Sequence, residues 1–118
     1  MLHEALLIFA ITAAGGIVLG NGLVRGWLAS RMVSLLHAAF ALCGLLLLLG
    51  GTLQAQWNAY ALLALWVLCL ATGAGFHLTL RRARQPGGPP RMAWLHVMLA
   101  LAGLGTLLVA VQTSASTF

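Results

Sequence analysis

Few residues in this chain can do chemistry, and four of them are histidines: His3, His37, His77 and His96. Two recur in matched surroundings. "RMVSLLHAAFALCGLL" begins at Arg31 and "RMAWLHVMLALAGLGTL" at Arg91, and each carries Arg-Met, a histidine, Ala-Leu and Gly-Leu in that order. Imidazole can ligate a metal, carry a proton or hydrogen-bond a neighbour. Set inside an apolar run it is costly, which makes it a functional candidate whose partner must be found. Other chemistry is thin. Cys43 and Cys69 lie in apolar runs without CxxC spacing and read as small buried hydrophobes. The serines and threonines have no accompanying base, and "QPGGPPR" lacks the strand and spacing of a phosphate loop. Hydrolytic and nucleophilic catalysis have no support. The chain is not expected to be an enzyme on its own, although a place in an oxidoreductase complex stays open.

The elements that position these residues follow from composition. The chain has 118 residues, of which 62% are hydrophobic and 6% charged, with mean hydropathy +1.03. A water-soluble domain of this size cannot hide so much apolar surface, so the solvent must be largely lipid. The net charge of +5 comes from six arginines against one acid, Glu4. They form no polar patch for nucleic acid, and nucleic-acid binding is not expected. The start, "MLHEALLIFAI", lacks the basic region of a signal peptide and reads as a retained first span.

Four apolar segments, roughly 5–24, 33–52, 59–80 and 92–111, each approach the ~20 residues a helix needs to cross the hydrocarbon core. In lipid the backbone must satisfy its own hydrogen bonds, so these are helices. Arg25 and Arg31 flank the first connection, and Arg81, Arg82, Arg84 and Arg91 the third; the second connection and both termini have no arginine. The positive-inside rule then puts the first and third connections in the cytoplasm and both termini outside. The expectation is an all-α integral membrane protein, of bacterial inner-membrane type. It has four transmembrane helices in two tandem out-in-out hairpins that form a four-helix bundle, one domain over residues 1–118. Trp27, Trp57 and Trp94 fall near span ends and read as interfacial anchors; Trp66 lies deeper and reads as packed.

The two halves, 1–59 and 60–118, read as an internal repeat. A shift of 59 residues superimposes His37 on His96, Gly44 on Gly103, Gly16 on Gly75 and Arg25 on Arg84, within 13 identities in 59 pairs. Arg31 and Arg91 are off register by one. Parallel repeats are related by an axis along the membrane normal, which sets His37 and His96 at equal depth, facing across that axis. Both lie roughly 8–9 Å inside the arginine level at the rise of an α-helix.

Two histidines facing across a bundle suit iron porphyrin, which takes axial imidazoles and is commonly housed in bundle cores. Gly16 and Gly75, with Gly15, Gly20 and Gly73, would give a flat macrocycle room between helices. Gly44 and Gly103 each follow their histidine by seven residues, two turns along the same face. Arg31 and Arg91 could pair with haem propionates, since guanidinium binds carboxylates in a planar fork. His77 has Val18 as its counterpart. It is a third candidate ligand, a hydrogen-bond partner near a propionate, or part of a quinone headgroup pocket. His3 reads as solvated at the interface.

On these residues the chain resembles the membrane b-type cytochromes. In those families a four-helix core holds haem between paired histidines on non-adjacent helices, often the second and fourth, and glycines on the first and third make room. His37, His96, Gly16 and Gly75 match that arrangement. The larger respiratory cytochrome b has two histidines on each helix, about four turns apart, and so stacks two haems; here Gly51 and Ala110 stand at the second positions. The resemblance therefore implies a single haem b near the cytoplasmic side, with His37 and His96 as iron ligands. A second redox centre, a quinone or a partner subunit must complete any path across the membrane.

Three functions compete. The first is electron transfer, by a small cytochrome or the haem-bearing subunit of a larger redox complex in the respiratory chain, alone or as a homo-oligomer. The second is a haem-free accessory or assembly subunit that uses small-residue helix faces; it does not require two histidines in matched register. The third is a small transporter. It ranks last, because beyond Glu4 the spans hold no Asp, Glu or Lys and pumps need titrating groups along a path.

Overall fold

The chain forms four α-helices in a computed structural model that describes residues 1–25, 31–54, 58–84 and 91–116. They are α1 (Leu2–Val24), α2 (Arg31–Gln54), α3 (Ala59–Arg84) and α4 (Arg91–Ala115). Leu, Ala, Met and Arg, all good helix formers, fill them. All four are long and apolar enough to cross a membrane. They extend past the apolar limits read from sequence. Hydropathy reports what lipid tolerates, whereas a helix needs only its backbone bonds, so α3 runs on through Arg81, Arg82 and Arg84. Trp27 and Trp57 lie outside the described residues.

α1 packs most extensively on α2 and α3 on α4; α2–α3 and α1–α4 meet more thinly. The helices thus stand in a ring, with α2 and α4 on a diagonal. The molecule is a rod of 50 × 22 × 19 Å. Within each pair the contacts run in opposite senses. Leu2 lies on Gly51 and Phe9 on Gly44, where an added Cβ would come within 2.8 and 3.0 Å of them. In α3 and α4, a Cβ on Gly103 would meet Leu68 at 2.6 Å. Small residues at these contacts let the helices approach closely, as they do in helix pairs that pack without a gain from leaving water. Buried positions recur three and four residues apart: 2, 5, 9 and 12 on α1, and 61, 64, 68 and 71 on α3. These two sets differ by the same 59 residues that relate the histidines.

Asn58 fastens the second pair. Its Oδ1 accepts from the N–H groups of Tyr60 and Ala61 at 3.0 and 3.2 Å, capping α3. Its Nδ2 donates to the Ala110 carbonyl at 3.1 Å and to Ser114 Oγ at 2.9 Å on α4. Among the described residues no buried side-chain polar atom lacks a partner. The buried Thr12 hydroxyl, for one, donates to the Ile8 carbonyl at 2.8 Å, as a hydroxyl in an apolar setting must.

The outer surface is apolar. Leu7, Ile17, Leu46, Leu53 and Phe76 are largely exposed, which soluble monomers avoid over contiguous areas and which an apolar solvent rewards. Two expectations are corrected for the same reason. Cys43 and Cys69 are exposed rather than buried, and Trp66 is 65% exposed rather than packed. In lipid an outward-facing apolar side chain is already solvated, so hydrophobicity does not force it inward.

Gly103→Val should destabilise the molecule by about 1–3 kcal/mol, the usual cost of overpacking, because Leu68 occupies the added volume. Gly105→Val, where nothing lies within 4 Å of an added Cβ, should leave thermal unfolding in mild detergent unchanged. Equal melting of the two variants would show that the Gly103 contact does not hold α3 on α4.

Candidate functional site

His37 on α2 and His96 on α4 meet across the diagonal of the bundle. Their ring centroids are 6.2 Å apart and their planes cross at 74°, an edge contact. Each ring also reaches the other helix of its own pair. The Nδ1 of His37 lies 2.9 Å from the Thr12 carbonyl oxygen on α1, and the Nδ1 of His96 lies 2.7 Å from the Ala71 carbonyl oxygen on α3. A carbonyl only accepts, so both Nδ1 atoms carry the proton. In the neutral ring Nε2 is then left with a free lone pair. This is the usual arrangement of a metal-ligating histidine, with one nitrogen oriented by a backbone acceptor and the other free to ligate.

Helix geometry shows why glycines accompany these bonds. The carbonyl of residue i accepts from the N–H of residue i+4 and keeps a second lone pair. A side chain at i+4 would stand where an approaching imidazole must lie. Position 16 is four after Thr12 and position 75 four after Ala71, and both are glycine. A Cβ on Gly16 would come 3.2 Å from Cε1 of His37; one on Gly75 would come 2.8 Å from Cε1 and 3.0 Å from Nδ1 of His96. Gly16 and Gly75 therefore accommodate the imidazole rings. Gly44 and Gly103 sit elsewhere along the pairs, and the space they leave is filled by Phe9 and Leu68.

The remaining candidates are dispersed. Arg31 and Arg91 are exposed at the first residues of α2 and α4. His77 is exposed on α3, and so is His3, near the start of α1. Among the described residues no group of three or more His, Cys, Asp or Glu is placed to hold a metal ion, so His77 does not complete a three-ligand set with the pair.

Among the described residues the buried ones lie on α1 and α3 up to Thr12 and Ala71, and on α2 and α4 from Ala41 and Gly103 onward. Ala5, Leu48, Ala61, Ala64, Leu107 and Ala110 are fully enclosed there. The described residues on the arginine side include none so enclosed, and His37 and His96 stand at the edge of that side, each partly buried.

Sequence reading missed the two backbone acceptors. A carbonyl has no residue signature, although each glycine precedes its histidine by the same 21 positions in both halves. No family model, curated protein or solved structure matches the chain.

Nitrogen NMR of imidazole-labelled protein should find His37 and His96 locked with the proton on Nδ1. Gly75→Ala should release that lock at His96 and spare His37. Gly15→Ala should alter neither, since its Cβ would lie 3.7 Å from the His37 ring, at ordinary contact distance. An unchanged His96 signal in Gly75→Ala would refute the steric account.

Proposed function

We propose that the chain is a membrane electron-transfer protein: a small b-type cytochrome, or the haem-bearing membrane subunit of a larger redox complex. One haem b would lie between α2 and α4, near the arginine end. The observation that carries this reading is the pair of Nδ1-anchored imidazoles that meet on diagonal helices. Two imidazoles without further donors do not suit zinc, which takes three or four protein ligands. They do suit an iron whose equatorial positions a porphyrin already fills.

In this role His37 and His96 would be the axial ligands. The Thr12 and Ala71 carbonyls would orient them, and Gly16 and Gly75 would admit the rings. Arg31 and Arg91, at the same end, would pair with propionates. Haem supplies one-electron redox chemistry when bound. The protein sets the potential through axial ligation, burial and positive charge. The helix pairs would be out-in-out hairpins with the arginine end cytoplasmic. A quinone or a partner subunit would complete the path.

One alternative has its own support. Phe9 and Leu68 fill the space at Gly44 and Gly103, and the imidazoles fill that at Gly16 and Gly75. A haem-free accessory subunit, held together by histidine–carbonyl bonds, would need the same glycines.

A reduced-minus-oxidised visible spectrum of the purified chain in mild detergent decides between them. A sharp, unsplit α-band of low-spin haem is expected. His37→Ala or His96→Ala should abolish tight haem binding, and His3→Ala should not. Protein that stays empty when haem is supplied, or full haem retention in the double His37/His96 variant, would favour the accessory role. Reporters fused after residue 118 should be reached only from outside the cell; labelling from the cytoplasm alone would reverse the orientation.

A further inference from the structure

We propose that the outer face of α3 at its arginine end binds the headgroup of an anionic phospholipid, through His77, Arg81 and Arg84. The inference rests on the membrane reading but not on haem. The three residues are spaced by four and three positions, which sets them on one face of the helix. All three are exposed. None forms a hydrogen bond or ion pair with another described residue, and the sequence offers no acidic side chain nearby. Its only acidic side chain, Glu4, belongs to the opposite end of the bundle and lies 2.6 Å from the N-terminal ammonium. The counter-charge for these guanidinium groups must come from outside the chain.

The internal comparison isolates this face. The residues 59 positions earlier are Val18, Gly22 and Arg25, so the equivalent face of α1 keeps one arginine and lacks the other two groups. Topology is already marked by arginines at both cytoplasmic connections and does not require the added pair. His77 stands about 6 Å deeper than Arg81 along the helix. An imidazole turned toward lipid at that depth needs a partner. A phospholipid supplies both requirements on one molecule. Its phosphate accepts from Arg81 and Arg84, and its glycerol ester oxygens, deeper in the membrane, accept from the N–H of His77. The positive end of the molecule thus holds a specific lipid rather than a diffuse anionic layer.

Native mass spectrometry of the full chain in mild detergent tests this, with phosphatidylglycerol and phosphatidylcholine of identical acyl chains supplied in equal amounts. Retained lipid should be mainly phosphatidylglycerol. The double variant Arg81→Gln/Arg84→Gln should lose about fivefold in that preference for each arginine removed. The charge-matched double variant Arg31→Gln/Arg91→Gln should keep it, and His77→Phe should weaken it. Equal retention of the two lipids by the unaltered chain, or equal loss in both double variants, would overturn the proposal. A chain that stays dissolved without detergent would instead overturn the membrane reading.

Discussion

Much of this structure depends on one contact, an imidazole N–H donated to a backbone carbonyl that already serves its own helix. The contact ties α2 to α1 and α4 to α3. It fixes which nitrogen of each histidine is free, and it requires a glycine one turn beyond the acceptor. In an apolar solvent such a bond has little competition from water, and an unsatisfied imidazole would be expensive. Held by its Nδ1, each ring extends toward the centre of the bundle, where the two meet.

The helix pairs are unequal along their length. Toward Asn58, alanines and leucines interlock and the interior is closed. Toward the arginines, glycine and histidine take the inner positions and no described residue is fully enclosed. The histidines are thus presented by a scaffold whose tightest packing lies beyond them.

The apolar outer surface follows a different rule from the core. Cys43, Cys69 and Trp66 are as apolar as the residues inside, yet they face outward, because burial gains little when the solvent is hydrocarbon. What selects a residue for the interior here is size and fit. Glycine and alanine are chosen where helices approach closely, and leucine is chosen where a gap remains.

The sequence by itself determined the number of helices, their approximate limits and the 59-residue register that pairs His37 with His96 and Gly16 with Gly75. These are legible because hydropathy and identity are properties of single residues, and lipid imposes them strongly. The tertiary structure decided what the glycines are for. Gly16 and Gly75 admit imidazole rings, whereas Gly44 and Gly103 admit Phe9 and Leu68, and all four look alike in sequence. It also decided the histidine partners, which are carbonyl oxygens, and the outward facing of Trp66 and the cysteines. Backbone acceptors carry no residue code, and the direction a side chain faces depends on which neighbouring helix fills the space. Those facts exist only once the helices are packed.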